Sequence, residues 1–182
     1  MAKLVDKTYG DALCELALEN GKIDIYFEEA KAVLSALKEN SELIKLLNHP
    51  KIDKEEKIKI IENIFKGRVS DDITGFLVLM MNKDRQNMII ETLEYFISLV
   101  KEHKKIGVAY VTTAVELSQI KKKEIEAKLI ATTKYAEFEM NYDVDKAIIG
   151  GMIIRIGDRV VDSSIKTQIY NISKELYNIQ LA

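Results

Sequence analysis

The chain has 182 residues, 47% of them hydrophobic, and a formal net charge of −2. That apolar fraction supports a packed core rather than a disordered chain, and the near-neutral charge argues against a dedicated nucleic-acid binder, which carries a basic excess. One cysteine, Cys14, excludes an internal disulfide framework and fits a reducing compartment.

The elements follow in chain order. Tyr9, Ala12, Leu13, Leu16 and Ala17 fall on one helical stripe. Asn20-Gly21 is a natural helix stop. A second stripe runs through Tyr26, Phe27, Ala30, Val33, Leu34 and Leu37, and a short third helix holds Leu43, Ile44, Leu46 and Leu47 before Pro50, the only proline. Asp53 to Glu56 resembles a capping box, with Asp53 expected to accept from backbone N–H groups. The helix behind it carries Ile58, Ile61, Ile64 and Phe65 and stops at Gly67. Ser70 is placed to cap a fifth helix through Ile73, Phe76, Leu77, Met80 and Met81, and a sixth carries Ile89, Leu93, Phe96, Ile97 and Val100. Six helices with short connections predict a helical bundle.

From Gly107 the period changes. Val108 to Val115, rich in valine and threonine, predicts a strand, and Ser118 a helix cap. Phe138, Met140 and Tyr142 alternate with Glu139, Asn141 and Asp143, the pattern of a strand with one wet face. Met152–Ile156 and Arg159–Val161 flank Gly157-Asp158, a two-residue loop suited to a type II′ hairpin. Ser163 or Ser164 opens a last helix with the stripe Ile165, Ile169, Ile172, Leu176 and Ile179, expected to pack mostly onto the sheet. The fold class is thus a two-part α+β protein: an N-terminal six-helix bundle over residues 1–105, then a small C-terminal α+β domain over 106–182.

Chemistry is sparse. His49 and His103 are far apart in sequence, and no metal-ligand spacing or EF-hand loop occurs. Gly150-Gly151 is followed by Met-Ile-Ile rather than Lys-Ser or Lys-Thr, so it reads as a bend or close backbone approach and not as a phosphate loop. Asp162-Ser163-Ser164 reads as a helix cap rather than a nucleophile site. The lysine clusters Lys54-Lys57-Lys59, Lys104-Lys105 and Lys121-Lys122-Lys123 are mixed with or near glutamate, as on a solvated face. No apolar run approaches the roughly 20 residues that cross a bilayer, and the first residues have no signal-peptide pattern. No catalytic residue, metal or cofactor is expected. The run Phe76–Met81 is apolar nearly all round, as for a central helix that also floors a groove for a foreign helix.

Tyr9-Gly10-Asp11-Ala12-Leu13 is similar to the Tyr-Ala-x-Ala opening of the ATP synthase δ (OSCP) family. Asn48-His49-Pro50 falls at a family turn, and Asn82-Lys83-Asp84-Arg85 resembles the turn after the fifth helix. The most specific stretch is Val144 to Asp158, with Gly150, Gly151, Arg155, Gly157 and Asp158, continued through Asp162 to Ile165; it resembles the family signature near the C-terminus. The match covers essentially the whole chain. Gly10 departs from the family's usual alanine: either the first helix starts near it, or its backbone packs unusually closely.

The resemblance implies a non-catalytic stator subunit of a rotary ATP synthase, peripheral at the cytoplasmic face of the plasma membrane and attached only through the complex. It implies that the first and fifth helices receive N-terminal segments of the α subunits, through Tyr9, Ala12, Leu13 and Leu16 and through Phe76, Leu79, Met80 and Lys83. It implies that the C-terminal domain binds the C-terminal end of the b subunits of the stalk. Competing readings are a helical adaptor for unrelated partners, a nucleic-acid-associated protein using its lysine faces, and a small-molecule enzyme with scattered catalytic residues.

Overall fold

A computed structural model describes residues 2–180, with side chains described for residues 7–177. The chain divides into two compact units, Met1–Lys101 and Glu102–Ala182. It is α+β, with eight α-helices and one four-stranded sheet among the described residues.

Six α-helices precede the sheet. The first, α1, spans Ala2–Glu19. It ends on Gly21, whose φ of 62° lets Lys22 N–H reach the Ala17 carbonyl (3.0 Å) and Gly21 N–H the Leu18 carbonyl (3.1 Å), closing orphan carbonyls of the last turn. Helix α2, Ile23–Glu39, buries Tyr26, Phe27, Ala30, Val33 and Leu37, one face at helical spacing. Helix α3 is Ser41–Leu47 and α4 is Lys54–Phe65. Asp53 holds the N-cap position of α4 with extended backbone, but its side chain makes no capping hydrogen bond. The capping-box expectation is corrected: the carboxylate stays in water. Ser70 does cap α5, Asp71–Asn82, its Oγ accepting from Ile73 N–H at 3.4 Å. Ser70 also donates from N–H (3.0 Å) and Oγ (2.6 Å) to the Glu29 carboxylate, tying α2 to the start of α5. After a 3-10 turn at Gln86–Met88 comes α6, Ile89–His103.

These helices share one apolar core in which Tyr26, Phe96, Leu77, Met80 and Leu93 are fully buried. Of these five, Tyr26 carries a polar group. Its hydroxyl donates to the Asp72 carboxylate and accepts from Asn20 Nδ2 at 3.0 Å. Burial, then the Asp72 hydrogen bond, push that hydroxyl above the usual tyrosine range. Tyr26→Phe should cost about 1–3 kcal/mol, because Asp72 loses a donor inside the fold. The pH dependence has a definite sign. The folded state keeps a proton that the unfolded chain releases above about pH 10, so this contribution is complete below that pH and is lost above it. Thermal melts from pH 8 to 11 should show the gap between wild type and Tyr26→Phe narrowing on the alkaline side; a constant gap would contradict the assignment.

In the second unit, β1 (Ile106–Thr113) and β2 (Glu137–Val144) are parallel, with Ala109 opposite Met140 and Val111 opposite Tyr142. A parallel pair needs a crossover; α7, Gln119–Thr132, supplies it, capped by Ser118 Oγ accepting from Lys121 N–H. Strands β3 (Met152–Ile156) and β4 (Arg159–Asp162) form the hairpin, giving the order β2-β1-β3-β4. Gly157 carries φ 56° in the two-residue loop, which favours glycine. The first strand begins two residues before Val108 and ends before Val115, which is exposed.

Ser164 opens α8, Ile165–Gln180, its Oγ accepting from Thr167 N–H at 3.2 Å. Here the sequence expectation is corrected. Ile165, Ile169, Ile172 and Leu176 are all exposed rather than packed on the sheet, 41–59% accessible. The side chain of Ile179 lies outside the described residues. Spacing makes one face of this helix apolar; it does not supply a neighbour to cover it.

Candidate functional site: a groove between α1 and α5

Two helices present the same spacing to each other's edge. Helix α1 contributes Tyr9, Ala12, Leu13 and Leu16, steps of three, one and three. Helix α5 contributes Asp72, Gly75, Phe76 and Leu79 in the same steps, with Asp71 beside them. On a helix such a set lies along one side. Together they line an open groove of about 330 Å³. Leu13 and Phe76 are buried in its floor, whereas Leu16 (37%) and Leu79 (43%) stand exposed along its length. An added Cβ on Gly75 would meet nothing within 4 Å, so this glycine deepens the groove without being required by packing. Asp71 and Asp72 give one end a negative lip, with Asp72 held from below by Tyr26.

The groove contains Tyr9, Ala12, Leu13, Leu16, Phe76 and Leu79. Two expected members are elsewhere. Met80 is fully buried in the helical core, because it sits on the inward side of α5 beside Leu77; it cannot touch a ligand there. Lys83 is the C-cap of α5, its N–H donating to the Leu79 carbonyl (3.0 Å), and it does not line the groove. Gly75, Asp71 and Asp72 were not legible as members. The one signal was a glycine four residues before Leu79, directly ahead of the apolar run Phe76–Met81.

Gly10 lies within α1, and a Cβ on it would come 2.5 Å from Cδ1 of Tyr95. Close packing is therefore the reason for glycine here: α6 lays an aromatic ring on the α1 backbone, and the Tyr95 hydroxyl donates to Asp11 Oδ1 at 3.1 Å. Cys14 is half-buried, and burial, then Asp11 and Glu15, push its thiol up, away from the reactive thiolate. His49 sits in its turn, Nδ1 accepting from Lys51 N–H at 3.2 Å. No cluster of potential metal ligands occurs among the described residues.

The glycine-rich stretch of the second unit does structural work. Gly151 has φ 75°, and a Cβ there would overlap the Ser163 carbonyl oxygen. A Cβ on Gly150 would come 2.6 Å from Ile165 Cδ1. Arg155 is opposite Tyr110 across β1 and β3, its guanidinium 4.9 Å from the ring centroid. Asp158 fills the second position of the hairpin loop. Asp162 accepts from Ser164 N–H and Thr167 Oγ1, each at 2.8 Å, fixing the entry to α8. Hydrogen bonds from Ser164, then Thr167, hold the Asp162 carboxyl below the usual range.

Residues 5–176 match the family model described as ATP synthase delta (OSCP) subunit. ATP synthase subunit delta of Lachnoclostridium phytofermentans is 62% identical over 181 residues, covering 100% of both chains. The subunit delta of Desulforamulus reducens is 35% identical over 172 residues, 94% of each chain, and that of Clostridium botulinum 657 is 33% identical over 175 residues, 96% of this chain and 97% of the relative. A chain of the Toxoplasma gondii mitochondrial ATP synthase hexamer superposes with a TM-score of 0.75, covering 94% of this chain and 97% of that one, at 15% identity, a likeness of fold. The chain belongs to the ATP synthase delta (OSCP) subunit family, and it is a structural, non-catalytic subunit of the peripheral stalk.

Proposed function

We propose that the α1–α5 groove receives the amphipathic N-terminal segment of an ATP synthase α subunit, and that the second unit holds the C-terminal end of the b subunits. In this reading helices α1–α6 act as one bundle that grips the catalytic head, and the sheet unit grips the strut beside it. The subunit then sits on the cytoplasmic face of the plasma membrane through the complex; no described helix is long and apolar enough to cross a bilayer.

The observation that carries this reading is the groove itself. Two helix edges with matched spacing leave Leu16 and Leu79 in water above a floor of Leu13 and Phe76. That is the shape and chemistry that an amphipathic helix fills with apolar side chains at i, i+3, i+4 and i+7. The task is static: rotation of the central rotor drags on the head, and a tether must not release. Apolar burial in a preformed groove favours slow dissociation, which is where affinity is mostly set.

Calorimetric titration of the full-length protein with a peptide of the α-subunit N-terminus should give saturable one-to-one binding with a negative heat-capacity change, the mark of apolar burial. A folded protein that gives no binding heat at several temperatures would refute the groove assignment.

A further inference from the structure

Asn20 is the only asparagine of the chain that precedes a glycine. The pair ends α1, and it is also the pair in which a carboxamide is most open to attack from its own backbone. The amide nitrogen of the next residue can reach the carboxamide carbon, and glycine puts no side chain in the way. Asn20 and Gly21 are both exposed, so water has access to them.

Two hydrogen bonds occupy the groups that would react. Gly21 N–H donates to the Leu18 carbonyl at 3.1 Å. The Asn20 carboxamide is held by Tyr26, its Nδ2 donating to the hydroxyl at 3.0 Å. In the second bond an exposed side chain supplies the donor to a hydroxyl on a fully buried residue. That hydroxyl donates its own hydrogen to the Asp72 carboxylate on the lip of the α1–α5 groove. One short chain of hydrogen bonds thus runs from the end of α1, through α2, to the start of α5.

We propose that Asn20 is a site of spontaneous covalent modification, deamidation through the Gly21 backbone, and that the Tyr26 hydroxyl is the positioning group that restrains it. The reaction begins when the last turn of α1 frays, which releases both bonds without opening the core. Gly21 N gives its proton to solvent and bonds to Cγ of Asn20. The Cγ–Nδ2 bond breaks, and the departing nitrogen takes a proton from solvent and leaves as ammonia. A cyclic imide remains. Water then adds to one of its two carbonyl carbons and opens the ring. Attack at Cγ gives aspartate, and attack at the backbone carbonyl gives isoaspartate. The net exchange is water for ammonia, with no change of oxidation state.

Either product alters the corner. A carboxylate replaces the donor beside Tyr26, and it competes with Asp72 for the single hydroxyl hydrogen. Isoaspartate also adds a carbon to the main chain between residues 20 and 21. That displaces the bonds which close α1, from Gly21 N–H to Leu18 and from Lys22 N–H to Ala17. Modified copies therefore carry a loosened acidic lip.

The test holds the full-length protein below its melting transition at neutral pH, then digests it for peptide mass spectrometry. Conversion at Asn20 should outpace that at every other asparagine, including Asn40, which precedes a serine, and should yield both aspartate and isoaspartate. Conversion of Asn20 no faster than that of Asn40 would overturn the site. Tyr26→Phe should speed conversion about fivefold, the factor that one ordinary hydrogen bond supplies. Because this variant is also less stable, Ile61→Val and Ile61→Ala bracket its loss, in a core position that makes none of these hydrogen bonds. A Tyr26→Phe rate that falls between theirs would assign the gate to general opening and overturn the role of Tyr26. Asn20→Asp, one of the products, should melt below Asn20→Ala, and Tyr26→Phe should shrink that gap because no hydroxyl is left to contest. An unchanged gap would overturn the competition with Asp72.

Discussion

Leu79→Asp should weaken binding of the α-subunit N-terminal peptide by roughly 100-fold, and leave the protein folded. Two effects add. The complex loses burial of a leucine, worth about 1.5–3 kcal/mol at full coverage, and a carboxylate is placed in an apolar groove without a partner. A sum near 3 kcal/mol corresponds to about two decades in Kd. The free protein is affected little, because Leu79 already stands 43% in water. Met80, one residue on, gives the contrast. It is fully buried, so Met80→Asp should unfold the helical unit rather than change affinity selectively. Calorimetry with circular dichroism melts separates the two outcomes. Equal affinity for wild type and folded Leu79→Asp would show that the peptide binds elsewhere.

Gly151→Ala should destabilise the second unit on the order of 3 kcal/mol, because strain and collision fall on one atom. The new methyl meets the Ser163 carbonyl oxygen, which is backbone and cannot swing aside, and φ 75° is already unfavourable for alanine. Gly157→Ala isolates the second factor. Gly157 also has positive φ, but open space surrounds the added carbon, so about 1 kcal/mol is expected. Chemical denaturation followed by backbone NMR of the second unit would measure both. Equal losses at the two positions would mean that the approach of Gly151 to Ser163 carries no weight.

Local punctuation was readable in the sequence. Gly21, Ser70 and Ser118 each act through their own backbone or hydroxyl, and helix ends follow from them without knowledge of the rest of the fold. The close approach at Gly150-Gly151 was readable for the same reason: at Gly151 a side chain would strike the Ser163 backbone. What required coordinates was the choice between faces. Phe76–Met81 in α5 are all apolar, so no periodicity distinguishes Leu79, which faces the groove, from Met80, which faces the core. Asp53 has the right residue type for a cap and the right backbone, yet water competes successfully for its carboxylate. The α8 stripe is the larger lesson. Its repeat marks one face as apolar, and the same repeat would be written for a face packed on a sheet of this chain or for one left in water, as here.

The bare face of α8 has a consequence for manufacture in the cell. Any copy made in excess over its partners carries a row of wetted isoleucines and a leucine, together with exposed Tyr170 and Tyr177. Such surplus is prone to clump and to attract proteases. Balanced supply of the neighbouring polypeptides therefore protects the orphan as well as completing the machine, and co-expression rather than solitary production is the sound route to soluble material.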